Sequence, residues 1–237
     1  MHLPRRLPAA LALGLTLLAT AACDLEIAPA GAAPRGSTAP RIMMEETLDD
    51  PEFREDLRTA EQVVNGFWAR HWSELFTGAY RPPTVVGLYN GRDPATTPMC
   101  GDRPLERNNA AYCPAGDYVA WDITLMRNGY ARGDAWVYLV IAHEWGHAIQ
   151  DRLRRDLVSP AAELQADCLA GATLYGAAAD GAVRFEAGDE EEIVRSFRVI
   201  GDDVPWTKPG DHGSAAERLR FFERGGDGGV SACFRTT

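Results

Sequence analysis

The chain has 237 residues, of which 46% are hydrophobic and 24% charged, a balance typical of a globular protein that buries one sizeable core. Its 34 acidic residues outnumber its 24 basic residues, which gives a formal net charge of −10. This charge, without a basic cluster, argues against nucleic acid as a partner and against direct electrostatic binding to an anionic membrane.

The amino terminus predicts an export signal. Two arginines precede an apolar run, and small residues follow it up to Cys23. The pattern is typical of a bacterial secretory signal, and the run is too short for a transmembrane helix, so we expect residues 1–22 to be a signal peptide. A cysteine directly after Ala-Ala resembles the lipidation site of bacterial lipoproteins, which predicts lipid on Cys23. Ordinary cleavage near Ala21 is the alternative.

Residues 23–45 are predicted to form a flexible tether that leads to a domain at residues 46–237. The tether is rich in Ala, Pro, Gly, Ser and Thr, and it has no aromatic residue and no helical or strand periodicity. The two amino-terminal segments together predict an exported protein. It would be attached to a membrane through the lipid on Cys23 or otherwise secreted.

If Cys23 carries lipid, four cysteines remain in an oxidising compartment, where disulfides form and three pairings are open. We expect Cys100 to pair with Cys113, because this bond closes a loop rich in Gly, Pro and Asn and would contribute about 3 kcal/mol. Cys168 would then pair with Cys233 and hold the carboxyl-terminal segment to a core helix. Buried free thiols are the alternative.

The periodicity of the domain predicts helices around a small sheet, an α+β fold that is mainly helical. Apolar residues recur at three- and four-residue spacing in residues 52–77, as in an amphipathic helix. Two runs of β-branched and aromatic residues, Thr84 to Tyr89 and Asp117 to Ile123, predict strands. Further helices are predicted at residues 134–153 after an Asp cap, at 159–178 from Ser159-Pro160, at 190–200, and from Ser214 with a capping box to Glu217.

Residues 143–147 read His-Glu-Trp-Gly-His within a strongly apolar predicted helix. Residues four apart lie one turn above each other, so His143 and His147 can bind one metal ion from a single helix face. Glu144 lies beside them, where a carboxylate can take a proton from water activated by the metal. Gly146 lies on the histidine side and would let another backbone approach closely.

The helix at 159–178 is predicted to complete this site, because a catalytic zinc ion generally has three protein ligands. Glu163 is the candidate third ligand beside His143 and His147. Asp167 follows one turn later on the same face, where it can accept the free N–H of a ligating histidine. We therefore predict one Zn²⁺ ion. The alternative is a buried helix whose histidines are satisfied by carboxylates, which would bury polar groups at a cost and without purpose.

The motifs together resemble the bacterial neutral zinc metallopeptidases. HEWGHAIQ, ELQADCLAG, the stretch Ile200-Gly201-Asp202-Asp203, and His212-Gly213-Ser214 followed by Glu217-Arg218 recur in that family in the same order. The similarity extends over residues 60–235. It implies a zincin-like metallopeptidase fold with an HExxH active-site helix and a glutamate as third ligand, whereas it defines no physiological substrate.

The predicted activity is hydrolysis of peptide bonds in a peptide or protein substrate of the cell envelope. Zinc would lower the pKa of a water molecule to about 7, and Glu144 would accept its proton and pass it to the leaving amine. His212 is the candidate donor to the tetrahedral intermediate, or it only precedes the cap of the last helix. Arg218 is a second candidate donor, although a salt bridge to Asp202 or Asp203 is the favoured interpretation.

Two other functions stay open. A non-catalytic zinc-binding envelope protein could act as a scaffold or bind partners, but a purely structural site has no need of a base such as Glu144. Hydrolysis of cell-wall peptides is the third hypothesis. Whether the substrate is an envelope protein or a cell-wall peptide, an extended segment of it could pair with the edge of the sheet. The strand Asp117 to Ile123 is the candidate for this edge.

Overall fold

The computed structural model describes residues 50–208 and 210–234. The predicted signal peptide at residues 1–22, the tether at 23–45 and the lipidation site Cys23 lie outside the described residues. Within the two described ranges, no helix combines the length and the apolar character that crossing a membrane requires.

The described part of the chain is mainly helical with two small sheets, which confirms the α+β expectation. It contains six α-helices: α1 (Pro51–Leu75), α2 (Ile123–Tyr130), α3 (Ala135–Arg152), α4 (Ala162–Ala179), α5 (Asp189–Ile200) and α6 (Ala215–Gly228). Short 3-10 helices at Arg155–Leu157 and Val230–Phe234 follow α3 and α6.

The larger sheet places its strands in the order β1-β5-β4. β1 (Thr84–Tyr89) lies parallel to β5 (Tyr118–Asp122), and β4 (Ala110–Cys113) lies antiparallel to β5 on its other side. β2 (Met99–Cys100) and β3 (Arg103–Pro104) form a separate hairpin. The two predicted strands correspond to β1 and β5. The expectation that β5 receives a substrate strand is wrong, because β5 is the central strand and β4 and β1 are the edges.

Two predicted helix caps differ from the structure, although the first of these helices does begin directly after Asp134. The Asp134 side chain makes no cap hydrogen bond, and the Ala135 N–H instead donates to Glu192 of α5 over 3.4 Å. Ser159 Oγ accepts from the Ala161 N–H, which closes a turn before α4 begins. The capping box predicted for the last helix is present at the start of α6.

The central helix is α3, which is buried on most of its surface between α1, α4 and the sheet. As predicted, Gly146 permits a close approach, since a Cβ there would lie 2.9 Å from the Ala166 carbonyl oxygen of α4. Gly171 does the same between α4 and α6, where a Cβ would lie 2.0 Å from the Phe222 carbonyl oxygen. These contacts place side chains of α4 between those of α3 and α6.

Both predicted disulfides are present. Cys100 pairs with Cys113 and joins the β2–β3 hairpin to the end of β4. Cys168 pairs with Cys233 and joins α4 to the carboxyl-terminal 3-10 helix. The structure thus confirms this pairing among the three that four cysteines allow.

Candidate metal centre

Helices α3 and α4 bring three predicted ligands together. His143 Nε2 lies 3.2 Å from His147 Nε2 and 3.2 Å from Glu163 Oε2, and His147 Nε2 lies 3.4 Å from Glu163 Oε1. Ligand atoms about 2.0–2.1 Å from a tetrahedral zinc ion lie about 3.3 Å from one another. The spacing of these three side chains therefore fits a zinc ion.

The outer nitrogen of each histidine is engaged on the opposite side. His143 Nδ1 lies 2.8 Å from Asp167 Oδ1, as the sequence predicted, and His147 Nδ1 lies 2.9 Å from Gln150 Oε1. An Nδ1–H that donates to a carboxylate or amide oxygen leaves Nε2 free as a ligand atom. Both rings thus turn Nε2 toward the common centre.

Arg218 of α6 holds the first of these acceptors. Its Nε and Nη2 atoms donate to the two oxygens of Asp167 over 2.8 and 2.9 Å, and its Nη1 donates to the Ile200 carbonyl oxygen over 2.9 Å. Only 3% of the Arg218 side chain and none of the Asp167 side chain is exposed. The partner is therefore Asp167, and not Asp202 or Asp203 as the sequence favoured.

Gln150 also contacts the candidate ligands, and the sequence did not single it out. It accepts from His147, and its Nε2 donates to the Ala162 carbonyl oxygen over 2.7 Å and to Gln165 Oε1 over 3.1 Å. Gln165 in turn donates to the Cys233 carbonyl oxygen over 3.2 Å. The available signal was the three-residue spacing of His147 and Gln150, which puts both on one face of α3.

The two carboxylates give the centre an electrostatic preference for a cation. Burial alone would lower the pKa of His143, but the charge of Asp167 and hydrogen bonds to Asp167 and Glu163 outweigh it and raise this pKa to about 10. Burial would raise the pKa of Glu163, yet hydrogen bonds to both histidines hold it far below its usual range. The charge that favours a proton on the imidazoles also favours a metal cation between them.

Glu144 lies beside this centre with 7% of its surface exposed. Its Oε2 accepts from the Tyr112 N–H of the edge strand β4 over 2.8 Å. That N–H therefore points away from β5 and toward the helix. The structure thus places the predicted general base between the three candidate ligands and a sheet edge.

His212 lies at the same opening, and more than half of its side chain is exposed. Its Nδ1 lies 3.5 Å from Asp202 Oδ1, and Asp202 Oδ2 accepts from the backbone N–H groups of His212 and Gly213 over 2.8 and 3.2 Å. Asp202 thus fixes the loop that carries His212. The helix cap itself is Ser214.

A cleft of about 770 Å³ connects these groups. Its walls come from β4, from one face of α3, and from the ends of α4 and α5, and they include Glu163, His212 and Arg218. The volume is in the range of sites that bind small molecules or peptide segments. The candidate ligands and Glu144 therefore face a space that a substrate can enter.

Residues 154–236 match the family model "Putative neutral zinc metallopeptidase". This part of the chain is similar to that family. The match includes Glu163, Asp167 and Arg218, whereas His147 and the rest of the HExxH helix precede it. It confirms the family resemblance found in the motifs, and the family name implies zinc. Comparisons with curated proteins and with solved structures give no match.

Proposed function

We propose that this protein is a zinc-dependent peptidase of a zincin-like fold in which Glu144 is the general base. The observation that carries the proposal is the position of Glu144 beside three converging ligand atoms and at the wall of an open cleft. A metal site that only stabilises a fold is closed by its protein ligands. A carboxylate beside an accessible site is what hydrolysis requires.

His143, His147 and Glu163 would hold the ion. When bound, zinc supplies a Lewis acid that polarises a carbonyl group and makes water acidic near neutral pH. Glu144 takes the proton from the attacking water and returns it to the nitrogen of the leaving amine. His212, turned into the cleft beside Asp202, donates a hydrogen bond to the oxyanion that forms at the attacked carbon.

The edge strand β4 binds the substrate backbone. Tyr112 N–H already points away from β5, and since backbone groups alternate along a strand, the polar groups of Ala110 point the same way. An extended peptide can add to this edge as a further strand. Its attacked carbonyl then lies near Glu144.

The test is cleavage of an unfolded protein by the purified protein with its zinc content measured alongside. Glu144→Gln is expected to retain zinc and lose cleavage by a factor of about 100 or more, the lower range for loss of a general base. Glu223→Gln makes the same change at an exposed position of α6 and should cleave as the wild type does. Equal cleavage by wild type and Glu144→Gln would contradict the proposal.

We further propose that the protein is exported to the cell envelope and held at a membrane through lipid on Cys23, the first residue after the proposed signal peptide. Cys23→Ser is expected to move the protein from the membrane fraction to the soluble fraction and to remove the mass of the lipid. Unchanged membrane retention and mass would contradict lipidation, whereas retention of an unprocessed chain in the cytoplasm would contradict export.

A further inference from the structure

The buried side chain of Gln165 lies in a chain of hydrogen bonds that leads to the metal centre. It is 2% exposed, and each of its two polar atoms makes two hydrogen bonds. Nε2 donates to the carbonyl oxygens of Leu157 and Cys233 over 2.7 and 3.2 Å. Oε1 accepts from the Ser159 N–H over 3.0 Å and from Gln150 Nε2 over 3.1 Å. Gln165 therefore joins α3, the segment before α4 and the carboxyl-terminal 3-10 helix.

These hydrogen bonds have one direction. A backbone carbonyl oxygen can only accept, so the Gln165 amide must turn Nε2 toward Cys233 and Oε1 toward Gln150. Gln150 then donates through its own Nε2, which also reaches the Ala162 carbonyl oxygen. Its Oε1 is left to accept from His147 Nδ1, and a proton on Nδ1 makes Nε2 the ligand atom. The carbonyl group of residue 233 thus helps to set the tautomer of a candidate metal ligand.

The disulfide between Cys168 and Cys233 fixes the far end of this chain of hydrogen bonds. Cys233 belongs to the 3-10 helix Val230–Phe234, a type of helix whose own hydrogen bonds have poor geometry. The disulfide and the hydrogen bond from Gln165 both attach this segment to α4. Without the disulfide, the Cys233 carbonyl oxygen loses the covalent bond that keeps it opposite Gln165.

We propose that the Cys168–Cys233 disulfide controls the zinc affinity of the centre, with Gln165 as the positioning residue that connects the two. The proposal rests on the proposed peptidase function and concerns the regulation of its metal site. In the dithiol form, the 3-10 helix separates from α4 and Gln165 loses an acceptor. The two glutamine amides then hold His147 less firmly in the orientation that binds zinc, so the affinity falls.

Formation of this disulfide is then a maturation step. The two thiols give up two protons and two electrons to a disulfide oxidant, which becomes a dithiol, and one S–S bond forms between the Sγ atoms. Thiols persist in the reducing cytoplasm, whereas disulfides form after export. Cys168 is fully buried, so the bond is shielded from thiols once the chain has folded. Tight zinc binding would therefore begin in the compartment where the peptidase is proposed to act.

The first test compares the zinc affinities of two variants, each of which lacks one disulfide. Cys168→Ser combined with Cys233→Ser is expected to raise the zinc dissociation constant about tenfold, the lower end of the range for residues that support a metal ligand. Cys100→Ser combined with Cys113→Ser removes the disulfide at the end of β4 and should bind zinc as the wild type does. Serine adds no thiol that could bind the ion. Competition with a chromophoric chelator measures the constant in variants that circular dichroism shows to be folded.

The second test interrupts the connection and leaves both disulfides intact. Gln165→Met removes the polar atoms from a side chain of similar length and should weaken zinc binding about tenfold. Gln62→Met makes the same change at an exposed position of α1 and should have no effect. Adding Cys168→Ser and Cys233→Ser to Gln165→Met should weaken binding no further, because both changes interrupt the same chain of hydrogen bonds. A disulfide that only stabilises the fold does not predict this lack of additivity.

The outcomes separate this proposal from the proposed function. If the wild type binds zinc and the variant without Cys168 and Cys233 binds it equally tightly, the coupling is overturned and the peptidase stands. Equal losses of affinity in the two disulfide variants, or effects that multiply when Gln165→Met is combined with the first, would also overturn the coupling. Should that variant not fold, wild-type affinity in Gln165→Met overturns the proposal and weaker binding supports it. A wild type that binds no zinc would contradict the metal centre and the peptidase with it.

Discussion

Among the described residues, two clusters combine histidine with two carboxylates each, and only one of these two has the geometry of a metal centre. On α1, His71 Nδ1 lies 2.8 Å from Glu74 and its Nε2 lies 2.8 Å from Asp180. At the α3–α4 contact, His143 and His147 each engage Nδ1 outward and turn Nε2 toward Glu163. Both clusters combine histidine with carboxylates, but the nitrogen atoms of the histidine rings have different partners in the two.

The partners of the ring nitrogens indicate which cluster can bind a metal, whereas the residue types of the two clusters do not. In the α1 cluster both nitrogens of a single ring are used by separate carboxylates on the surface, so the ring links two helices and has no nitrogen left to bind a metal. In the α3–α4 cluster, Asp167 and Gln150 orient the rings, and the remaining donors converge on one point. A support behind each ring and a shared point in front of it together indicate a metal site.

The largest expected effect comes from removing a ligand. Glu163→Ala leaves the two histidines without the anionic donor, so zinc affinity should fall by more than about 100-fold, beyond the range for residues that only support a ligand. Competition with a chromophoric chelator measures this affinity. His71→Ala removes a histidine from the other cluster and should bind zinc as the wild type does. Wild-type affinity in Glu163→Ala would show that the third donor is assigned wrongly.

Removing the support behind His143 should destabilise the fold itself. Arg218→Met takes both hydrogen bonds from the fully buried Asp167, and loss of one partner of a buried ion pair costs about 3 kcal/mol or more. Urea unfolding of the zinc-free protein measures the free energy of unfolding. Arg218→Met combined with Asp167→Leu should recover much of the loss, since no charge is then buried alone. A single variant as stable as wild type would refute this role.

The convergence of the candidate ligands was largely predictable from the sequence, because helical spacing alone places each pair of them on one face. His147 is four positions after His143, and Asp167 is four positions after Glu163, so each pair must share a helix face. Gly146 marked the contact between the two helices. By contrast, the partner of Arg218 is 51 residues away in the chain. It depends on the close packing of α4 on α6, for which local spacing carries no information.

The edge position of β4, where we propose that the substrate binds, was not predictable for a related reason. β4 reads Ala-Ala-Tyr-Cys and lacks the β-branched residues by which β1 and β5 were recognised. It forms a strand because β5 pairs with it and a disulfide holds its end. Strand order is likewise a tertiary property, so the central position of β5 could not be read from its own residues.

A smaller effect is expected from the support behind His147. Gln150→Ala removes the acceptor of the His147 Nδ1–H and should lower zinc affinity by about 10- to 100-fold, as loss of such supports does elsewhere. Gln62→Ala makes the same change at an exposed position of α1 and should leave the affinity unchanged. If Gln150→Ala binds zinc as tightly as wild type does, the ring is oriented by packing alone.

The smallest expected effect is the contribution of the His71 ion pair on α1 to the free energy of unfolding. Hydrogen bonds to Glu74 and Asp180 raise the pKa of His71, and the bond to His71 lowers the pKa of Asp180. The pair therefore contributes fully between the unfolded-state values of about 4 and about 6.5. Its contribution declines as the pH rises through the raised histidine pKa and as it falls through the lowered aspartate pKa.

The difference in unfolding free energy between wild type and His71→Ala should accordingly depend on pH. We expect its pH-dependent part to be roughly 0.5–1 kcal/mol near pH 5.5, the range of exposed ion pairs, and to vanish at a pH well above the raised histidine pKa. Packing of His71 on Phe67, with ring centroids 4.9 Å apart, adds a part that is independent of pH. A difference that grows with rising pH would mean that His71 is neutral in the folded protein, and the contrast with the metal centre would then rest on distances alone.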